Sequence, residues 1–203
     1  MTSLRARAAL LPFLVAAALA LASCASGTTP GGSPVPSEPV DVVGQGMVLQ
    51  VGDAAPVFCL GAIAESYPPQ CTGPELVDWN WDAVDGEETG GDSTFGMFAV
   101  TGSWDGVRLS VTSGITLALY DPMPFVDPAL DPANAGESSN DDLVAIQDQI
   151  GYEAPVEVLT SSVENGYLFA TVVFDDGSVQ EWADATYGAD VVQVRSALRV
   201  VEA

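Results

Sequence analysis

The sequence predicts an α+β fold that is mostly β: a small disulfide-stapled, β-barrel-like unit followed by a helix and an antiparallel β-meander. Short apolar runs separated by glycine-containing turns fill residues 42–120 and return after residue 156, which is typical of strands. Helical spacing of apolar positions marks residues 139–151 between the two β regions. Cys59 and Cys71 both lie in the first β region.

The N-terminus has the three-part pattern of an export signal. A positive stretch with Arg5 and Arg7 precedes an apolar run too short to span a membrane, and small residues then lead into Cys24. The LASC ending resembles the lipobox of bacterial lipoproteins. This resemblance implies that residues 1–23 are a signal peptide and that Cys24 carries the lipid anchor, with palmitate among its acyl chains. The alternative is an ordinary secreted protein with a spare thiol.

Charge limits the partners that we expect. The chain has 28 acidic and 5 basic residues, no histidine and a net charge of −23. Such a chain is repelled by nucleic acid and by anionic lipid headgroups. The lipid anchor on Cys24 is therefore expected to hold it on the outer face of the cytoplasmic membrane, facing the cell wall. We expect a monomer with an envelope protein or a cell-wall ligand as partner, and no nucleic acid.

The first half of the mature chain divides into a tether and a β unit. Residues 24–41 are small and proline-rich and predict a flexible tether. The β-rich unit, residues 42–120, begins with a strand at 42–51. Its clearest hairpin joins residues 95–104 to 107–119 around Asp105-Gly106, a type I′ turn signal.

The second half begins with an acidic, proline-rich connector at residues 121–138. Residues 139–203 follow as an α+β unit, whose helix is capped by Ser139 and closed by Gly151. Three strands are then expected at 156–163, 167–174 and 178–182, joined by turns at Asn165-Gly166 and Asp176-Gly177, and a last strand at 191–201.

A disulfide between Cys59 and Cys71 is the default expectation in an exported chain. Closing a loop of this length is worth about 3 kcal/mol in the entropy model. Two free thiols, or a bond to an unlipidated Cys24, are the alternatives. Two cysteines are too few for a zinc site without histidine, so no metal or other cofactor is expected.

The stretch around the two cysteines resembles a family of secreted actinobacterial lipoproteins with the signature CLG…ESYPPQC.GP…W.W. The resemblance is best over residues 43–104 and looser over 139–200. It implies location and architecture, and it transfers no catalytic residue. The matching residues are Cys59, Leu60, Gly61, Glu65, Ser66, Tyr67, Pro68, Pro69, Gln70, Cys71, Gly73, Pro74, Trp79 and Trp81.

The composition argues against an enzyme. Without histidine the chain has no Ser-His-Asp or Cys-His site, and without lysine it has no Walker A loop or Schiff-base chemistry. We therefore expect a non-catalytic binding or envelope-interaction module. A small cell-wall hydrolase built on paired carboxylates is the first alternative, although no motif supports a particular pair.

An acidic loop supplies a further alternative, a Ca²⁺-responsive surface protein. Asp85, Glu87, Glu88 and Asp92 are flanked by glycine, and Ca²⁺ prefers several oxygen ligands. Their spacing does not match the EF-hand frame, and acidic loops are usually just solvated. A solvated loop is therefore the favoured interpretation.

Aromatic and basic residues each allow two interpretations. Trp79, Trp81 and Trp104 form either an aromatic platform for a ligand or, as favoured here, part of the core. Arg195 and Arg199 share one face of the last strand. They either relieve charge against neighbours such as Glu181 or Glu157, or they clamp an anion, which the negative field disfavours.

The tip of the disulfide loop is a candidate interaction loop. Two prolines stiffen this loop, which is expected to display its polar and aromatic residues to a partner. Its residues are Glu65, Tyr67, Pro68, Pro69 and Gln70.

Overall fold

A computed structural model describes residues 38–122 and 126–201. The strands of this part of the chain are β1 Val40–Val51, β2 Val57–Cys59, β3 Glu75–Val77, β4 Glu88–Gly90, β5 Ser93–Trp104, β6 Arg108–Thr116, β7 Val158–Glu164, β8 Tyr167–Val172, β9 Val192–Ser196 and β10 Arg199–Val200. The α-helices are α1 Asn140–Glu153 and α2 Ser178–Tyr187. Short 3-10 turns lie at Trp81–Ala83, Leu117–Leu119, Pro128–Leu130 and Pro132–Asn134.

Strands β1, β2, β3, β6 and β5 close into a ring that we call the barrel. The β3–β6 pair is parallel and the other pairs are antiparallel. β1 pairs with β5 along its whole length, from Val40 opposite Trp104 to Val51 opposite Ser93. The closed ring confirms the predicted mostly β, barrel-like α+β fold. Closure of this kind leaves few free strand edges.

The barrel interior is an aromatic core built on alternating positions of its strands. Val42 and Val48 of β1 point inward, where they join Phe58, Phe98 and Trp104. The predicted β5–β6 hairpin is confirmed. Its turn has a positive φ at Gly106 and not at Asp105, so the expected type I′ geometry, which needs two positive φ values, is wrong.

The C-terminal unit, residues 139–196, consists of α1, β7, β8, α2 and β9. Ser139 caps α1 as predicted, since its Oγ accepts from the Asp142 N–H at 3.2 Å. The helix continues past Gly151 to Glu153. β7 and β8 form the predicted antiparallel hairpin, with φ of 49° at Asn165 and 79° at Gly166, the pattern of a type I′ turn.

The strand expected at residues 178–182 is wrong, because these residues begin α2. Asp175 Oδ1 accepts from the backbone N–H groups of Gly177 and Val179, both at 2.9 Å, which satisfies donors at the helix start. Val179 and Ala183, four positions apart, are buried on one helical face. α2 therefore carries the chain back to the start of the sheet, and β9 lies parallel to β8.

The barrel core extends into the C-terminal part of the chain. Val173, Phe174 and Leu198 are buried in the same cluster as the barrel interior. Leu198 packs against Gly44, where an added Cβ would lie 2.7 Å from the leucine Cδ2. β10 then pairs with β1 beside β2. The last strand thus lies outside the closed ring and pairs with β1, which begins 159 positions earlier in the sequence.

Residues 126–138 of the predicted connector are fixed against the β7–β8 turn. Asn165 Nδ2 donates to the carbonyl oxygens of Ala129 at 2.8 Å and Asp131 at 2.9 Å. The Gly136 N–H donates to Asn165 O at 2.8 Å. The two 3-10 turns of this segment consequently lie on the C-terminal unit.

Candidate binding sites

The disulfide loop packs on the outside of the barrel. Cys59 and Cys71 are disulfide-bonded, with their Cα atoms 5.8 Å apart, which confirms the predicted bridge. Cys59 is buried with Leu49 and Phe95 in a small second core, here called the outer core. Since Leu49 and Phe95 project from the outer faces of β1 and β5, the loop has a wall of strands behind it.

The predicted interaction loop forms the exposed tip of this structure. The Ala64 N–H donates to Gln70 O at 2.8 Å, so residues 64–70 close on themselves. Ser66 Oγ donates to Pro68 O at 2.9 Å inside the tip. The Tyr67-Pro68 peptide bond is cis. Within the tip Pro69 is buried, whereas Glu65 and Gln70 are exposed.

Tyr67 is 73% exposed and is nevertheless held in place. Its hydroxyl donates to Thr89 O at 3.2 Å. Its ring meets the Phe95 ring edge-on, with 6.1 Å between centroids, and lies over Gly90, where an added Cβ would be 3.0 Å away. One edge of the ring is therefore bound to the barrel, and the rest faces solvent.

A cleft of about 420 Å³, here called the loop cleft, lies beside the tip. Proline and aliphatic side chains form much of its wall, and a carboxylate stands at its edge. Its lining includes Leu49, Val51, Pro68, Pro69, Gln70 and Asp92.

The tryptophans support the core interpretation. Trp104 is 1% exposed. Trp79 and Trp81 are half-buried and meet the buried Phe98 edge-on at 5.0 and 6.0 Å between centroids. Trp81 Nε1 also donates to Gln50 Oε1 at 2.6 Å. The three rings therefore do not form an open platform for a ligand.

A second cavity lies where the barrel meets the C-terminal unit. This junction cavity has a volume of about 310 Å³, and its lining includes Leu60, Thr72, Trp104, Val107, Glu157 and Leu159. The Nε1–H of Trp104 is buried and has no hydrogen-bond partner among the described residues. Nothing in the sequence predicted this cavity, because its walls come from segments distant in the chain.

A cleft of about 640 Å³ contains both arginines of the C-terminal strands. Arg195 Nε and Nη2 donate to Asp127 Oδ2 at 2.9 and 2.6 Å. The guanidinium stacks 3.7 Å from the Phe169 ring centroid. Arg195 therefore pairs with Asp127, which lies 68 positions away in sequence. The expected partners, Glu181 and Glu157, were wrong for this arginine.

The carboxylates form no metal-holding cluster within residues 38–122 and 126–201. No group of three or more Asp, Glu or Cys side chains there is placed to hold a metal ion, the acidic loop at 85–92 included. Backbone N–H groups of Arg108 and Val107 lower the pKa of Asp105. The hydroxyl and N–H of Ser178 lower the pKa of Asp176. A general acid needs the opposite shift.

The signal peptide, Cys24 and most of the predicted tether lie outside the described residues. Within the described ranges no helix has the length and apolar character needed to cross a membrane. No family model matches the chain, and no curated protein or solved structure is significantly similar to it. Proposals about its function therefore rest on the residues and their geometry.

Proposed function

We propose that the chain is a lipid-anchored extracytoplasmic binding module. In this proposal Cys24 holds it on the outer face of the cytoplasmic membrane, and the loop at residues 65–70 contacts an envelope protein or a cell-wall ligand. The observation that carries the proposal is that this loop is both exposed and fixed at several points.

A fixed loop favours binding because it loses little conformational freedom when a partner docks. The disulfide holds the loop at its base, the Ala64–Gln70 bridge closes its tip, and Tyr67 ties the tip to Thr89. A displayed tyrosine with two rotatable side-chain bonds offers a large contact area at low entropic cost.

The chemistry of the loop indicates the kind of partner surface that fits it. Tyr67, Pro68 and the loop cleft supply an apolar contact, while Glu65 and Asp92 place carboxylates at the margin. A complementary surface would present an apolar projection flanked by hydrogen-bond donors or basic groups, because unpaired carboxylates are costly to cover.

We propose a non-catalytic role although the chain has many acidic residues, because the carboxylates with defined interactions have structural roles. Asp105 and Asp176 have lowered pKa values and serve as local caps of a turn and of a helix start. Asp127 is paired with Arg195. No specific observation favours the carboxylate hydrolase or the Ca²⁺-responsive protein.

Replacing the proposed anchor tests the location. The Cys24→Ala variant, expressed in a bacterium that processes lipoproteins, is expected to leave the membrane fraction and appear in the medium. The wild-type chain is expected to stay with membranes until detergent is added. Retention of Cys24→Ala in washed membranes would contradict the lipid anchor.

Photocrosslinking in intact cells tests the loop. A photoreactive amino acid in place of the exposed Glu65 is expected to give a discrete crosslinked product. The same substitution at Glu181, an exposed glutamate of α2, serves as the matched control and is expected to give none. Equal products from both positions, or none from Glu65, would count against recognition through the loop.

A further inference from the structure

Residues 126–138, here called the strap, are held on the C-terminal unit by a small set of polar contacts. Asn165 Nδ2 donates to Ala129 O at 2.8 Å and to Asp131 O at 2.9 Å, which uses both N–H donors of its side-chain amide. Asn165 O accepts from the Gly136 N–H at 2.8 Å. One residue of the β7–β8 turn therefore holds the strap at three points.

Two further side chains hold the strap, and a cleft lies beside it. The Tyr167 hydroxyl donates to Asn134 O at 2.7 Å, and Arg195 pairs with Asp127. Asp127 and Leu130 of the strap line the cleft of about 640 Å³ that contains Arg195. The strap thus forms part of the wall of this cleft, and its release would open the cleft and separate Asp127 from Arg195.

The sequence around Asn165 makes its side-chain amide reactive. The chain contains Asn80, Asn134, Asn140 and Asn165, and only Asn165 is followed by glycine. Asparagine is among the thermolabile residues, and glycine has no side chain to hinder attack by its own backbone nitrogen on the preceding amide. Asn165 and Gly166 are half-buried in an exterior turn, so water reaches them.

We propose that Asn165 is a deamidation site whose conversion to aspartate or isoaspartate releases the strap. The Gly166 backbone nitrogen attacks Asn165 Cγ, the Cγ–Nδ2 bond breaks, and the proton lost from the Gly166 nitrogen leaves with ammonia. Water then opens the resulting succinimide ring at either carbonyl carbon. One opening gives aspartate with the original backbone, and the other gives isoaspartate, whose backbone runs through the side-chain carbonyl carbon.

The aspartate product cannot hold the strap as Asn165 does. Its carboxylate is ionised at neutral pH and has no N–H. It would face Ala129 O and Asp131 O, so two hydrogen bonds are replaced by repulsion between oxygen atoms. In the intact protein the same two hydrogen bonds restrain the Asn165 side chain, so the reaction is slower while the strap is in place. A lifted strap therefore promotes the modification, and the modification prevents the strap from returning.

Ageing of the purified chain tests the reaction. The chain from residue 24 onward, carrying Cys24→Ala, is incubated at mildly alkaline pH, digested in acid with pepsin and analysed by mass spectrometry. Asn165 is expected to gain the mass difference between an amide and a carboxylic acid and to give separate aspartate and isoaspartate peptides. Asn80, Asn134 and Asn140 are the internal controls and are expected to stay intact.

The Asn165→Asp variant tests the release of the strap, because it reproduces the aspartate product. Hydrogen exchange at the Gly136 N–H, followed by NMR, reports on the contact between the strap and the turn. This exchange is expected to be about tenfold faster than in wild type. Asn80→Asp is the matched control and should exchange like wild type. It adds the same charge, and Asn80 Oδ1 accepts from the Asp82 N–H at 3.0 Å, a contact that aspartate retains.

The Tyr167→Phe variant tests whether the strap protects Asn165. It removes the hydroxyl that donates to Asn134 O, so the strap should lift more often. Conversion of Asn165 is then expected to be about threefold faster or more. Tyr152→Phe is the matched control, because Tyr152 of α1 is 92% exposed, and its Asn165 should convert at the wild-type rate.

Each comparison has an outcome that overturns the proposal. An Asn165 that stays intact on ageing would show that it is no modification site. Equal exchange of the Gly136 N–H in Asn165→Asp and Asn80→Asp would show that the amide does not hold the strap. Equal conversion in the two tyrosine variants would show that the strap does not protect the amide. Crosslinking from Glu65 involves none of these residues, so this proposal and the proposed function stand or fall separately.

Discussion

The barrel and the C-terminal unit are held together by different means. The barrel has a dense aromatic interior, with Phe58, Phe98 and Trp104 fully or almost fully buried, and a disulfide on its outer face. The C-terminal unit has a smaller, mainly aliphatic core around Leu143, Leu168 and Val192. It has no disulfide within the described residues, and polar side chains join its elements in addition to the apolar core.

Side-chain amides do much of this fastening. Gln180 of α2 donates to Val192 O at 2.9 Å and accepts from the Val194 N–H at 2.8 Å, which ties the helix to β9. Gln147 of α1 donates to Ser161 O at 3.0 Å on β7. A chain with 28 acidic and 5 basic residues can form few salt bridges, and amides bridge backbone groups without needing an opposite charge.

The C-terminal segment connects the two regions. The Ala197 and Leu198 N–H groups donate to Val172 O at 2.8 Å and Val173 O at 2.9 Å at the end of β8. The Leu198 side chain enters the barrel core, and the next residues pair with β1. We infer that the two regions unfold together although they are fastened differently.

The largest effect is expected from Leu198→Ala, which removes the side chain that both regions share. Loss of a fully buried leucine should lower the free energy of unfolding by about 2–5 kcal/mol, because it leaves a cavity in the barrel core. Urea unfolding followed by tryptophan fluorescence measures this loss. Leu119→Ala, at a leucine that is 78% exposed, is the control and should change stability by less than about 0.5 kcal/mol.

Removing the disulfide should have the next largest effect and acts on the barrel. The double variant Cys59→Ala, Cys71→Ala should lose about 3 kcal/mol, since the unfolded chain regains the freedom of the opened loop. Alkylation followed by mass spectrometry should leave both cysteines of the wild type unmodified until a reductant is added. A double variant as stable as wild type would show that the disulfide does not stabilise the barrel.

Gln180→Ala tests the amide fastening of the C-terminal unit. It leaves the Val194 N–H and Val192 O without this partner and should cost about 1–3 kcal/mol. Gln149→Ala, at an exposed glutamine of α1, should be nearly neutral. Equal stability of the two variants in urea would show that the amide contributes little and that the small apolar core suffices.

The smallest effect is expected at alkaline pH and involves Tyr187. Burial, together with the hydrogen bond and charge of Glu153, raises the pKa of Tyr187 from 10.0 to about 12. The unfolded chain therefore loses this proton first, and stability should fall as pH rises from 10 towards about 12. Tyr187→Phe should flatten this fall, and a wild-type-like slope in the variant would assign it to another group.

The sequence predicted local features better than distant ones. The disulfide, the Ser139 cap and the Asn165-Gly166 turn depend on neighbouring residues, and all three are confirmed. Asp176-Gly177 carries the same kind of turn signal but opens a helix, because Asp175 caps the backbone that follows. A dipeptide alone does not encode that difference.

The candidate sites show the same difference between local and distant features. The loop at residues 65–70 could be predicted because two cysteines and two prolines mark it in the sequence. The junction cavity could not, since Thr72, Trp104 and Glu157 meet only after the barrel and β7 have packed. The Asp127–Arg195 pair was also missed, because its two residues are distant in the sequence. In addition, many acidic residues could pair with each arginine.

The central structural claim is that one cooperative body carries both the exposed loop and the junction cavity. Labelling with 5-fluorotryptophan tests it, because Trp104 reports on the barrel and Trp182 on α2 in a single urea titration followed by ¹⁹F NMR. We predict that the native signals of Trp104 and Trp182 disappear with the same midpoint. Loss of the Trp182 signal at lower urea, with Trp104 still native, would contradict the shared core.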